Sequence, residues 1–227
     1  MGWSVMIFAA GFGTRMKHLT QDRPKPMIEV ASKPLIDHAL GLCETLPASK
    51  TVVNLHYKAE VLLDHLKDRH VETILETPDI LDTGGGLLNA LPLLGTAPVM
   101  TLNSDAIWKG ANPLKQLAQA WRPERMDALL MCIPPARAVG HEGGGDFQIN
   151  NKGQIMRGAG LVYGGAQIIK TDQLKDIGKN VFSLNALWNI LIEKNSLYAA
   201  EYDGFWCDVG HPEGISKAED MLKARDV

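Results

Sequence analysis

The 227-residue sequence has few of the features that announce specialised chemistry. Its three cysteines, Cys43, Cys132 and Cys207, are far apart and form no CxxC pair. That excludes a disulfide framework and a cysteine-ligated zinc site, and it fits a reducing cytoplasm. The histidines make no HExxH or other metal-ligand spacing, so most are expected on the surface or in the core. Apolar runs are short. "WSVMIFAAG" is far below the roughly 20 residues of a membrane span and has no basic residues ahead of it, so neither an anchor nor a signal peptide is expected. "MGWSVM" also lacks the Ser or Thr of a myristoylation motif. Charge of one sign is lacking too. A net −3 gives no general attraction to nucleic acid or an anionic membrane, so neither is an expected partner and any bound anion must be held locally. Low-complexity tracts, internal repeats and linker-like charge blocks are missing. Aromatics make up only 6%, and Trp108, Trp121, Trp188 and Trp206 read as packing anchors rather than base-stacking platforms.

What is present is an ordinary soluble α/β composition, 45% hydrophobic with 22 glycines, in a length that suits one domain over residues 1–227. Residues 4–10, "SVMIFAA", form a continuous apolar run ending on glycine, the pattern of a strand buried on both faces. "KPLIDHALGLCETL" then has helical period, "TVVNLHY" is β-branched, and the alternation continues through "KAEVLLDHLKDR", "VETILE", "GGGLLNALPLL", "PVMTLNSD", "LKQLAQAW" and "DALLMCI". Strands alternating with helices predict a doubly wound, mostly parallel sheet in a three-layer α/β/α fold. From about residue 143 the glycine-punctuated "GGGDFQINNKGQIMRGAGLVYGGAQII" predicts antiparallel strands, which makes the sheet mixed. A helix follows with Ser183 as its expected N-cap, then strands around Tyr198 and in "DGFWCDVG", and a last helix opening at Pro212.

In such a sheet, ligands bind beyond the carboxyl ends of the strands, where "AAGFGTR" lies. Gly11 and Gly13 permit tight turns that aim backbone N–H groups at phosphate oxygens. A bare GxG is also a plain turn. Two familiar readings fail, because Met16 stands where a dinucleotide fold has its third glycine and no GxxxxGK[ST] occurs. Charge adds information: residues 11–33 hold Arg15, Lys17, Arg23, Lys25 and Lys33 against Asp22 and Glu29, five minus two or +3. Such a cluster beside a glycine loop suits a polyphosphate, and Pro24 and Pro26 restrict the backbone around Lys25. Asp105 and Asp208 each follow a β-like run, "VMTL" and "FWC", so two strand ends can share one hard cation.

"AAGFGTRM" followed by "RPKPMIEVASKPLIDHAL" resembles the signature of the sugar-1-phosphate nucleotidylyltransferases. "LDTGGGLLNALPLLG", "LNSD" and "GFWCDVG" resemble further motifs of that family, four ordered motifs over about 200 residues. The length, "VVNLHY", "DTGGG", "GDF" and "WCDVG" are most similar to its N-acetylmuramate α-1-phosphate uridylyltransferase branch. The resemblance implies a Rossmann-like nucleotide-diphospho-sugar transferase (GT-A-like) fold. It implies that residues 1–140 mainly bind nucleotide and 141–227 mainly bind sugar phosphate. It implies that Ala10, Gly11, Gly13 and Thr14 cradle the triphosphate, that Arg15 binds its β and γ phosphates, and that Lys25 contacts the α-phosphate. Asp82, Thr83, Gly84 and Gly85 would line the base, with Asn54 nearby. Asp105 and Asp208 would hold Mg²⁺. Asn103, Asp146, Tyr163 and Gly165 match positions around the acceptor, although Gly143 to Gly145 also read as a loop and Gly164-Gly165 as a strand bulge.

The implied activity is Mg²⁺-dependent transfer of a nucleotidyl group from an NTP to a sugar 1-phosphate in the cytoplasm, with UTP and N-acetylmuramate 1-phosphate the preferred pair. GTP with a mannose or heptose phosphate, dTTP or UTP with glucose 1-phosphate, and CTP with phosphocholine stay open, as does a catalytically silent nucleotide-sugar sensor. Either a monomer or a dimer is compatible with the sequence. Three departures from the pattern stand out. Ser104 replaces a glycine, His211 replaces a threonine, and the "EKP" lysine that grips the acceptor phosphate is missing, with Arg157, Lys152 and Lys170 as candidate substitutes.

Overall fold

The structure, a computed structural model, describes residues 2–224; Met1 and residues 225–227, the ends of the expected 1–227 unit, lie outside the described residues. In chain order, β1 (Trp3–Phe8) leads through 3-10 turns to a short hairpin of β2 (Glu29–Val30) and β3 (Lys33–Pro34). Next come α1 (Leu35–Glu44), β4 (Ala48–Leu55), α2 (Ala59–Leu66), β5 (Glu72–Leu75), α3 (Asp82–Leu94) and β6 (Val99–Asn103). The middle of the chain forms β7 (Ala106–Lys109), α4 (Pro113–Ala120), β8 (Ala128–Ile133), β9 (Ala138–Val139), β10 (Phe147–Ile149), β11 (Ile155–Arg157) and β12 (Val162–Ile169). The last elements are α5 (Asn185–Glu193), β13 (Leu197–Glu201), β14 (Phe205–Asp208) and α6 (Pro212–Lys223).

Seven strands form the main sheet in the order β13-β8-β12-β6-β1-β4-β5. All pairings are parallel except those of β12, which runs against both β6 and β8. This is the mixed, mostly parallel sheet that the alternation predicts. Period two along each strand sends neighbouring side chains to opposite faces. Val5 and Ile7 thus join a core with Ile36, Leu40, Leu62 and Leu117 of α1, α2 and α4, while Met6 packs with Leu87, Ala90 and Leu187 of α3 and α5. The apolar strands are continuous because both faces are covered.

Local signals set several element ends. Asn112 caps α4, its side chain accepting from the N–H groups of Leu114 and Lys115, and Pro113 and Pro212 stand at the first turns of α4 and α6. The N-cap of α5 is Leu184 rather than Ser183; the Ser183 hydroxyl still accepts from Asn185 N–H at 3.3 Å, one turn position out of register with the expectation. A third apolar cluster, Met16, Ile28, Val30, Leu35, Ile107, Cys207, Val209, Ala218 and Met221, lies outside the main sheet. It joins the segment after β1 to a small sheet ordered β7-β14-β9 and to α6. Among the described residues, no helix is long and apolar enough to cross a membrane.

Candidate active site

The loop after β1 is shaped by what lies beneath it. Ala9 N–H donates to Asn54 Oδ1 at 2.8 Å. Ala10 is buried, Gly11 and Thr14 are exposed, and a side chain at Gly11 would meet only open space. Gly13 has φ +65, and a Cβ there would stand 2.8 Å from Lys25 Cβ and 3.0 Å from Thr20 Cγ2. Glycine is required twice over, by the backbone angle and by the lysine tucked against it. Met16, fully buried in the third cluster, anchors the loop's far end; burying such a side chain contributes roughly 2 kcal/mol.

Charged groups converge below this loop. Lys25 is only 9% exposed, and its Nζ donates to Asp105 Oδ2 at 2.6 Å. Asp105 lies in the two-residue turn between β6 and β7, and Ser104 fixes that turn: its backbone N–H and its hydroxyl both donate to Phe8 O, at 3.3 and 2.6 Å. The serine that departs from the family pattern therefore ties the two strand-end loops together. Asp208 ends β14, opposite Ala106 of β7 in the antiparallel ladder, and Val209 N–H donates to Asp105 O at 2.9 Å. The carboxylate of the turn between β6 and β7 thus sits beside the one that ends β14. Burial, and next the Asp105 charge, push the Asp208 carboxyl above the usual carboxylate range, against the pull of Lys25, Arg15 and His211. Arg15 is exposed beside it, and a Cβ at Gly210 would stand 2.5 Å from Asp208 Oδ2 and 3.2 Å from Arg15 Nη1. His211 is the N-cap residue of α6 and makes no side-chain cap.

A cleft of about 240 Å³ opens beside Lys25 and Asp105, lined also by Ala10, Gly11, Asp82, Thr83 and Asn103; Arg15, Asp208 and His211 line a separate cleft with Gly140 and Glu213. The wall of the first contains a residue the sequence reading missed. Glu76 is 1% exposed; its Oε1 accepts from Asn54 Nδ2 at 2.7 Å and its Oε2 from Leu81 N–H at 2.8 Å. Asn54, expected near a base, thus uses its amide on Ala9 and Glu76. Asp82 has φ +60, and its Oδ1 accepts from Thr83 N–H at 2.6 Å. Gly84 and Gly85, expected to line the base, are buried instead. Both N–H groups donate to Phe182 O, at 2.9 and 3.0 Å, and a Cβ on either would collide with the chain around Asn180 and Phe182. Their smallness lets the 180–182 segment close on α3.

A second cleft adjoins the first, sharing Asp82, Thr83 and Asn103 and adding Asp146, Arg157, Tyr163 and Asn185. Asp146 Oδ2 accepts from Tyr163 N–H at 2.8 Å. Tyr163 offers its ring rather than its hydroxyl: burial drives that hydroxyl's pKa well above the ordinary tyrosine value, with a hydrogen bond to Thr101 opposing, and the ring stands edge-on to Trp188 at 4.8 Å. Gly165 does not face this cleft. It is buried in a β12 irregularity with φ +86, where a Cβ would stand 2.8 Å from Asn103 Cβ, so it makes room for Asn103. Of the three candidates for the missing lysine, only Arg157 lines the cleft. Lys170 pairs with Asp127 at 2.8 Å, and Lys152 lies in an exposed turn. The tryptophans are packing residues, Trp108 and Trp206 meeting edge-on and Trp121 and Trp188 buried.

Among the described residues, no group of three or more His, Cys, Asp or Glu could hold a metal ion, so a cation here would have the two aspartates plus non-protein oxygens. Two nearby carboxylates, half-buried and offset by Lys25, Arg15 and His211, suit a hard cation of the Mg²⁺ class, which keeps several water or phosphate ligands.

Comparison with known proteins gives the family and the fold. Residues 5–164 match the MobA-like NTP transferase domain. The chain is 37% identical to the N-acetylmuramate alpha-1-phosphate uridylyltransferase of Caulobacter vibrioides, covering 96% of each chain. It is 30% identical to the enzyme of the same name from Neisseria meningitidis, covering 96% of this chain and 98% of that one. HddC from Yersinia pseudotuberculosis complexed with GMP-PN shares the fold with a TM-score of 0.76 at 23% identity, over 97% of this chain and 100% of that one. A UDP-glucose pyrophosphorylase complexed with UDP-glucose does so with a TM-score of 0.77 at 17% identity, over 97% and 98%. The chain therefore belongs to the MobA-like NTP transferase family, as a nucleotidyltransferase of the sugar-1-phosphate type.

Proposed function

We propose that this enzyme transfers the uridylyl group of UTP to N-acetylmuramate α-1-phosphate in a Mg²⁺-dependent reaction. What carries the choice of substrates is the likeness, along nearly the whole chain, to two uridylyltransferases of that name. The charge cluster around Lys25 supports the chemistry. An acceptor phosphate oxygen attacks the α-phosphorus in line, a new P–O bond forms, and the bond to the β-phosphate oxygen breaks, its electron pair leaving with pyrophosphate. The two substrates bring together about six negative charges, so the protein's task is to position them and offset repulsion. Lys25, held by Asp105, presents its ammonium to the α-phosphate. Arg15 takes the β and γ phosphates, whose oxygens are cradled by Ala10, Gly11, Gly13 and Thr14. Asp82 and Thr83 border the base, and Asn103, Asp146 and the ring of Tyr163 border the sugar. Asp105 and Asp208 would hold Mg²⁺, which when bound neutralises phosphate charge during transfer.

Residues 1–140 mainly serve the nucleotide and 141–227 mainly the sugar phosphate within one unit. A cytoplasmic setting is supported by Cys43, Cys132 and Cys207, all free and buried, the Cys43 thiol being pushed up to about 12 by burial. A pyrophosphate-release assay crossing four NTPs with a panel of sugar 1-phosphates tests the reading. UTP with N-acetylmuramate 1-phosphate should have the highest kcat/KM. A guanylyl or thymidylyl pair in first place would replace the substrates, and no turnover with any pair would remove the enzymatic reading.

A further inference from the structure

Arg157 sits in the second cleft in an arrangement the reaction as described does not use. It ends β11, and its Nη2 donates to Asn185 Oδ1 at 2.6 Å and to Asn189 Oδ1 at 3.1 Å, while Nε donates to Asn189 Oδ1 at 3.3 Å. The guanidinium lies 4.8 Å from the Phe147 ring centroid and 5.6 Å from that of Trp188. Neutral amide oxygens and aromatic faces thus fix its position on one side. No carboxylate among the described residues forms an ion pair with it, and Nη1 has no hydrogen-bond partner there. Asp146 is near enough to act on its charge, but one oxygen of that carboxylate is engaged by Tyr163 N–H. A positioned guanidinium with a free edge and no hydrogen-bonded counter-ion is a preorganised receptor for a planar anion, because its fork matches a carboxylate in bidentate geometry. Lys25 lines the first cleft and Arg15 lies with Asp208 in another, and the reacting phosphates are assigned to these two residues.

We infer that Arg157 is the residue that recognises a carboxylate on the acceptor sugar, at a distance from the phosphate that reacts. The inference rests on the acceptor class proposed above, since N-acetylmuramate differs from N-acetylglucosamine by an ether-linked lactic acid. A neutral acceptor gives the free edge of the guanidinium no anionic partner; an acidic one does. Sites built around a polar partner discriminate strongly against analogues that lack it.

The experiment measures kcat/KM with saturating UTP for N-acetylmuramate 1-phosphate and N-acetylglucosamine 1-phosphate, in the wild type, R157Q and N185D. The wild type should favour the acid. R157Q should reduce the acid-to-neutral ratio by about 10- to 100-fold, chiefly through KM for the acid. N185D, which hands Arg157 an internal carboxylate from an exposed helix position, should lower the ratio in the same direction without removing the arginine. If R157Q lowers kcat/KM for both acceptors equally, the residue grips the phosphate or only supports the fold, and the inference is wrong. A preference for the acid that survives both substitutions also overturns it while leaving the proposed function intact. A wild type that turns over other sugar phosphates but neither of these ends both.

Discussion

Replacing Glu76 by glutamine tests the wall that joins the nucleotide-facing loops. Its two oxygens accept from Asn54 Nδ2 and Leu81 N–H, and Asn54 in turn accepts from Ala9 N–H. One buried carboxylate therefore links the loop after β1, the end of β4 and the start of α3. A carboxylate is acceptor-only, whereas glutamine turns one of its two ends into a donor. Whichever way the amide sits, an NH₂ group faces either Asn54 Nδ2 or Leu81 N–H, and Asn54 cannot turn over without losing Ala9. Hydrogen bonds to a charged group contribute roughly 1.5–3 kcal/mol each, and one of the two is lost, so E76Q should destabilise by about 2 kcal/mol. At roughly 2–4 °C per kcal/mol for a chain of this size, melting should fall by about 4–8 °C. Because the displaced groups border the first cleft, KM for the nucleotide should rise more than kcat falls. Calorimetry and steady-state kinetics read both effects. An unchanged melting temperature with unchanged nucleotide KM would refute the bridging role.

Three other outcomes follow from the geometry. Lys25→Ala should cut kcat by about 10²–10³-fold while circular dichroism stays native, because it removes a preorganised charge at the reacting phosphate; near-normal turnover would void its assigned role. Gly13→Ala forces a Cβ to φ +65 and to within 2.8 Å of Lys25 Cβ, so it should cost about 1–3 kcal/mol in denaturant titration and lower turnover as well. His38, whose pKa burial lowers from 6.5 while its Nε2 meets Val30 O at 3.0 Å, is harder to protonate folded than unfolded. The unfolded chain thus takes up the proton first, so stability is full above about pH 6.5 and declines as pH falls towards the folded value. Thermal melts of H38Q between pH 7.5 and 5 should be flatter than the wild type's, and parallel curves would exclude His38 as the source.

The strands and helices were legible because each carries its own periodicity. Continuous apolar runs such as residues 4–8 could only be covered on both faces, and β1 is. The charged centre was legible too, since Arg15 and Lys25 each lie in a motif of the segment after β1, and Asp105 and Asp208 in motifs after apolar runs. Long-range closeness was hidden. Nothing near Glu76 in sequence announces that Asn54 and Leu81 meet on it. Gly84 and Gly85 read as ligand-facing because their contact, Phe182, is almost a hundred residues away. Gly165 likewise answers to Asn103, and its close approach appears only once β12 lies beside β6.

The reversal of β12 has a consequence for how this scaffold diversifies. β8 leaves the sheet at the same rim where β12 enters it, and Ile133 and Val162 face each other there in register. Residues 134–161 are therefore an excursion whose two roots are neighbours. The excursion is pinned once on the way, where β9 pairs with β14 beside Asp208; the part beyond that pairing, residues 140–161, brings Asp146 and Arg157 and can be exchanged between relatives without touching the turns that carry Lys25 and Asp105. Acceptor choice would then be a transplantable property: grafting this excursion onto a relative that takes a neutral sugar should move the preference while the phosphate chemistry stays behind.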